Sequence, residues 1–359
     1  MRFLFTLYLL GFVVGSLDCQ SVDSEVMHDK VLSLDTHVDT PSKMYKYNIA
    51  NRYSYDKTGL RLDIPRLIDG GLDAMFLIVY LPQGYLTEYG YNQVVSKANL
   101  MFDRIHNAIN TNSKVLELAT SSEDFYNIPK RGKRAVFIGV ENGYAIGHNL
   151  DNVDSFYRRG ARYMTLGHTS NNDICCSSTD ESGKPDSGLT EFGYKLVERM
   201  NKLGMLVDIS HVSDKTFYDV VKYSKTPIVA SHSSCRALRW NKRNMSDDMI
   251  KALAEKGGVI QICMVRRFIK SGTDVRVSDF VDHIEHVVRL VGVDYVGIAT
   301  DFDGGGGLPD FYDATCYPRI TAELVKRGYS HEAIQKIWGG NFMRVLKTNE
   351  LYSKLLEGY

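Results

Sequence analysis

Leu34-Asp35-Thr36-His37-Val38-Asp39 sets the pattern for the whole chain. Val31, Leu32 and Leu34 read as a short buried strand, and His37 and Asp39 follow at its C-terminal end. In extended backbone, residues i and i+2 point to the same side. An imidazole and a carboxylate can therefore converge on one ion, and that donor pair suits zinc and similar divalent metals. A single such pair arises often by chance. It gains weight when further strands end in further ligands.

Working outward, apolar strand-like runs recur at 31–37, 74–81, 135–141, 163–168, 205–211, 228–232, 258–263 and 295–301. A short run at 114–120 reads as an extra strand outside this set. Helical periodicity fills the intervals. Between 91 and 110 the apolar positions include Val94, Val95, Ala98, Met101, Phe102, Ile105 and Ile109. Ser213, Ser246 and Ser330 stand where helix N-caps belong. Strand–helix alternation repeated eight times predicts an α/β fold, a (β/α)8 TIM-like barrel. A doubly wound open sheet is the runner-up. No linker, repeat or low-complexity block divides the chain, so residues 20–359 are expected to form a single catalytic domain.

The strand ends deliver His37 and Asp39, then Glu141, His168, His211, His232 and Asp301. Barrel enzymes place their chemistry at that rim. One histidine at a strand end more often caps a loop. Independent core histidines would not repeatedly choose the last position of successive strands. Asp303 shares the side-chain parity of Asp301 and is the alternative acid. His283 and His286, three apart on a helix, are read as packed or exposed positions away from the rim.

Composition narrows the classes. Lys plus Arg and Asp plus Glu are 43 each, so the formal net charge is zero. No nucleic-acid footprint or polybasic membrane patch is expected. Arg2, the apolar run from Phe3 to Val14 and the small Gly15 and Ser16 have the shape of a signal peptide within residues 1–19. Cleavage is expected after Ser16 or near Cys19. Lipid attachment at Cys19 is the lesser alternative, because Asp18 is a poor small residue to precede it. The product is expected to be exported to a periplasmic, secreted or cell-surface place, with no integral span. The C-terminal stretch lacks the long apolar tail of a GPI signal. The six cysteines form no paired CxxC, which argues against a cysteine zinc site; free thiols are the expectation, with a strained vicinal bridge between Cys175 and Cys176 as the alternative.

Five segments, in this order, resemble the membrane dipeptidase (renal dipeptidase) family of zinc peptidases, and its secreted bacterial members more than its animal ones. They are Asp35-Thr36-His37-Val38-Asp39, Gly139-Val140-Glu141-Asn142-Gly143, Asp208-Ile209-Ser210-His211-Val212-Ser213, Ser231-His232-Ser233-Ser234 and Asp301-Phe302-Asp303-Gly304. The likeness covers nearly all of the chain after the signal. It implies two zinc ions, the first on His37 and Asp39, the second on His211 and His232, with Glu141 bridging. It implies dipeptide hydrolysis by a hydroxide bridging the ions, Asp301 as acid/base, His168 on the substrate carbonyl oxygen and Arg243 on the substrate carboxylate. Asn142 departs from the family, where glycine is common. Dipeptides are the expected partners, and a homodimer is the assembly considered. The alternatives are a related amide or lactam hydrolase on the same barrel, or a peptide-binding barrel without catalysis.

Overall fold

The computed structural model describes residues 27–52 and 59–358. The expected leader and Cys19 lie outside the described residues. The described residues form nine strands: β1 (Leu34–Val38), β2 (Ala74–Tyr80), β3 (Leu116–Leu118), β4 (Arg134–Glu141), β5 (Ala161–Thr165), β6 (Leu206–Asp208), β7 (Val229–Ser233), β8 (Val259–Cys263) and β9 (Val296–Ala299). The main path runs β1-β2-β4-β5-β6-β7-β8-β9, and β3 pairs only with β4. The end of β1 and the segment just after β9 meet. Asp301 donates its N–H to the His37 carbonyl at 3.0 Å, and Asp39 donates to the Phe302 carbonyl at 2.8 Å. An open sheet would leave β1 and β9 as separate edges; this seam joins them into a nearly closed parallel barrel wrapped by helices.

Strict alternation sorts the strand residues. Ala74, Phe76 and Ile78 of β2 and Ala135 and Phe137 of β4 lie in one buried cluster with Leu34, Tyr163, Leu206, Val229 and Val259. Met75, Leu77, Val79, Val136, Ile138 and Val140 lie in the larger cluster shared with the helices. The first set is the barrel interior. Glu141 is in phase with Ala135 and Phe137, so its carboxylate faces inward at the far end of β4. The near end is plugged by the helix Asn341–Glu357, whose Phe342, Met343 and Leu346 join the interior cluster. The Phe76 and Phe342 rings are 5.2 Å apart.

The helical periodicity holds. The helix Glu88–Thr111 buries Val94, Ala98, Met101, Phe102, Ile105 and Ile109. Ser213, Ser246 and Ser330 each accept a first-turn N–H, from Thr216, Met249 and Ala333. Three of the strands that lead to site residues end well before their apolar runs do. β5, β6 and β9 stop at Thr165, Asp208 and Ala299, which leaves His168, His211 and Asp301 in the loops beyond. His211 and Asp301 have φ of 69° and 55°, outside the β region, so the ladder cannot continue through them. The five described cysteines are buried and free. His283 is buried on the outer helix Val277–Val291, and its Nε2 lies 3.0 Å from the Ile269 carbonyl oxygen.

Candidate metal and active site

The rim loops enclose a cavity of about 630 Å³ whose lining includes Asp39, Glu141, His168, His211, His232, Arg243 and Asp301. Glu141 lies at its centre. Its Oε2 is 3.6 Å from His37 Nε2. Its Oε1 is 3.0 Å from His211 Nε2, 3.4 Å from His232 Nε2 and 3.6 Å from His168 Nε2. The two oxygens of one carboxylate thus face different imidazoles. His37 Nε2 is 3.4 Å from Asp39 Oδ2, as the i, i+2 spacing requires. Ligand atoms of three groups come within 4.8 Å of one another: His37, Glu141 and His232; Glu141, His168 and His211; His37, Asp39 and Asp301. The donors form one continuous chain through Glu141 rather than two separate sets.

For His37 and His232, hydrogen bonds fix which nitrogen the imidazole offers. Tyr163 donates its hydroxyl to the Thr36 carbonyl at 3.1 Å, so it accepts from His37 Nδ1–H at 2.9 Å. With Nδ1 engaged, Nε2 is the nitrogen that His37 turns into the cavity. Ser231 donates its hydroxyl to Asp208 Oδ2 at 2.7 Å, so it accepts from His232 Nδ1–H at 2.9 Å. His232 Nε2 likewise turns inward, 2.8 Å from His211 Nε2. Such outer partners orient metal ligands and set their tautomer. Tyr163 fits inside the barrel because residue 139 is glycine. A Cβ there would lie 2.4 Å from the Tyr163 ring.

Electrostatics point the same way. Burial favours neutral His211, and Arg243 and His168 add to it, so its pKa falls well below the usual value. Burial and then His37 push His232 down to about 3. Both imidazoles are thereby kept neutral, the form that binds metal. Burial alone would raise Glu141, but His37 and His168 outweigh it and hold it well below the usual carboxylate range. Burial opposes charging of His37, yet Asp39 and Glu141 overcome it and raise its pKa well above 6.5. A site with that pull on a proton also pulls on a cation. Among the described residues, His37 Nε2 and Asp39 Oδ1 are buried without a hydrogen-bond partner, which is costly unless something else binds them. This donor set fits divalent metal.

Asp301 and Asp303, alike in sequence, are unlike in place. Burial and then Asp39 raise the pKa of Asp301 well above its ordinary value. Its near neighbour on the other side is the Cys263 thiol, 3.5 Å from Oδ2. Asp303 is engaged elsewhere. Its Oδ1 accepts the Arg61 N–H at 2.7 Å, its Oδ2 accepts the Thr40 hydroxyl, and Lys43 Nζ is 3.6 Å away. It ties down the segment after β1. Gly304 is required by close approach, since a Cβ there would lie 2.1 Å from Asp39 Oδ2 and 2.4 Å from Asp301 Oδ1.

His168 has 16% side-chain exposure against 2% for His232, which puts it at the cavity mouth. Arg243 is buried against Phe268 and donates to the His232 carbonyl at 3.1 Å. Asn142 has φ of 77°, where glycine is easiest. Its own side chain supports the turn, accepting the Tyr144 N–H at 3.3 Å and donating to the Leu81 carbonyl at 3.0 Å. All seven strand-end residues therefore meet in one place, with Arg243 beside them. Sequence reasoning missed Tyr163, Ser231 and Asp208 as orienting groups. Ser231 and Asp208 lie within the quoted motifs; Tyr163 gives no local sign, being one aromatic in an apolar strand.

The sequence pattern of the membrane dipeptidase family (peptidase family M19) matches residues 23–359. The chain belongs to the membrane dipeptidase family. It is 33% identical over 334 residues to dipeptidase verJ of Clonostachys rogersoniana, covering 88% of this chain and 84% of that one. It is 32% identical over 317 residues to dipeptidase tcpJ of Claviceps purpurea, covering 85% and 73%. Among solved structures, the probable dipeptidase PvdM from Pseudomonas aeruginosa superposes with a TM-score of 0.86 at 26% identity, over 94% of this chain and 100% of that one. The family, read first from five short segments, thus extends over the described barrel.

Proposed function

We propose that this family member is a binuclear zinc dipeptidase. The observation that carries the reading is the division of Glu141, with one oxygen toward His37 and the other toward His211 and His232. His37, Asp39 and Glu141 would hold one ion, and His211, His232 and Glu141 the other. Zinc, when bound, lowers the pKa of water and polarises a carbonyl, the two needs of amide hydrolysis at neutral pH.

The other roles fall to the chain itself. Asp301 takes the proton of the attacking water and returns it to the leaving amine. Its buried, acid-rich surroundings favour the protonated form it must pass through. His168, at the mouth, donates a hydrogen bond to the carbonyl oxygen as charge develops there. Arg243 grips the substrate's free carboxylate, where a planar fork binds two oxygens at once. Anchoring that carboxylate beside the Glu141 cluster leaves room for one residue after the scissile bond.

The N-terminal pattern of Arg2, the apolar run and the small residues supports export. No helix among the described residues is long and apolar enough to cross a membrane. N-terminal sequencing of the mature protein tests this. The catalytic reading is tested by a panel of dipeptides and tripeptides, with amino-acid release followed before and after chelation. Dipeptides should be cleaved, tripeptides spared, and chelation should abolish release. Turnover indifferent to chelation would refute the reading. Cleavage of other amides or lactams in place of dipeptides would move the protein to a related hydrolase class.

A further inference from the structure

Beside Arg243 the cavity wall carries a second guanidinium that the proposed chemistry does not use. Arg267 sits in the turn Arg266–Ile269 that follows β8. Its Cζ lies 5.0 Å from the centre of the Phe268 ring, and that of Arg243 lies 5.4 Å from the same centre. Both side chains, and Phe268, line the cavity. The neighbour Arg266 is employed structurally, donating from Nε to the Gly307 carbonyl at 3.2 Å. Arg267 is exposed and forms no ion pair among the described residues.

The backbone that presents the pair is cross-tied. Arg239 Nε and Asn241 Nδ2 donate to the Arg267 carbonyl at 3.4 and 3.5 Å, and Asn244 Nδ2 donates to the Phe268 carbonyl at 2.8 Å. Ser233 donates its hydroxyl to the Arg243 carbonyl at 2.9 Å. The segment bearing Arg243 and the turn bearing Arg267 are thus one platform, ordered before any ligand arrives. Such ordering lowers the cost of binding. The exposed carboxylate of the lining, Glu181, comes from the loop after β5, across the barrel from β8. Among the lining carboxylates, Asp39, Glu141, Asp301 and Asp303 have buried side chains, so the exposed charges at the mouth are Arg267 on the β8 side and Glu181 on the β5 side.

We infer that the cavity selects dipeptides whose C-terminal residue has an acidic side chain, and that Arg267 is the residue that reads it. This rests on the dipeptidase reading and on Arg243 as the holder of the α-carboxylate. In an amino acid the side chain branches from the carbon that bears that carboxylate. A side chain leaving a carboxylate held at Arg243 starts close to the Phe268 ring, and a second carboxylate on it meets Arg267. The free amine of the substrate, at the other end, points toward the side that carries Glu181.

The test compares Ala-Glu with Ala-Gln, which differ in charge and little in shape. In the metal-loaded protein, kcat/KM for Ala-Glu should exceed that for Ala-Gln by roughly fivefold, the scale of a good exposed ion pair. Arg267→Gln should bring that ratio close to one. Arg267→Lys should restore part of it, and Arg267→Glu should invert it and favour Ala-Lys. Raising the salt should shrink the wild-type ratio, because exposed charges are screened. A wild-type ratio near one, or a ratio that survives Arg267→Gln or high salt, would overturn the inference while leaving the dipeptidase reading intact. Failure to cleave any dipeptide would overturn both.

Discussion

The two ends of the barrel are built on opposite principles. The floor is apolar, with Phe76, Phe137, Phe342, Met343 and Leu346 in mutual contact and fully or nearly buried. The rim is polar, equally enclosed and locally uncomfortable. Asn142, His211, Asp301 and Asp303 all have positive φ there, and buried nitrogen and oxygen atoms lack partners. Positive φ in residues other than glycine costs energy and gathers at functional sites. The lesson is a division of labour. The floor supplies the stability that the rim consumes in holding strained backbone and buried charged groups close together.

The sharpest way to break the contrast is at its centre. Glu141→Gln should abolish turnover to near background and impair metal at both positions together, because one of the two oxygens becomes a poor amide ligand. Elemental analysis of the variant checks this, and full occupancy would refute the bridging role. Next comes the pair of aspartates. Asp301→Asn should retain metal and lose turnover by roughly 10²–10⁴-fold. Asp303→Asn should cost far less, since its carboxylate serves the Arg61 N–H and the Thr40 hydroxyl. Near-normal turnover in the first, or a comparable collapse in the second, would exchange their roles.

On the floor, Phe342→Ala should destabilise the fold by about 3–5 kcal/mol, the usual result of emptying a buried aromatic site. Denaturant unfolding reads the loss, and kcat/KM below the transition should be little changed. A large kinetic defect without lost stability would mean that the two ends are coupled. The smallest expected effect sharpens the rim. Amidating the carboxylate of a dipeptide should lower kcat/KM by about one to two orders of magnitude, and Arg243→Ala should do the same to the free dipeptide. Both changes delete one contact, so together they should cost little more than either alone. Additive losses would assign the carboxylate to another residue.

Much of this was open to a reader of the sequence, for reasons that can be located. The alternation Ala74-Met75-Phe76-Leu77-Ile78 sorts inner from outer residues without any tertiary knowledge. The spacing of His37 and Asp39 carries their convergence, and it holds at 3.4 Å. Other features were hidden. The register shifts of β1 between Asp35 and Val38, and of β7 between Ala230 and Ser233, fall where those strands deliver His37 and His232. Irregularities of this kind re-aim side chains near active sites. Nothing in a run of apolar residues announces where one will fall.

By itself, the sequence determined the order of strands and helices, the capping serines and which histidines and carboxylates stand at the rim. Those are local matters, set by periodicity and by the chemistry of neighbours. Only the tertiary structure decided that one oxygen of Glu141 faces His37 and the other His211, that Tyr163 and Ser231 orient His37 and His232, and that Asp301 meets the Cys263 thiol while Asp303 is tied to Arg61 and Thr40. Each of those facts joins residues from different strands. They come together only when Asp301 and Asp39 close the seam between β9 and β1, bringing His37 and Asp39 against Asp301.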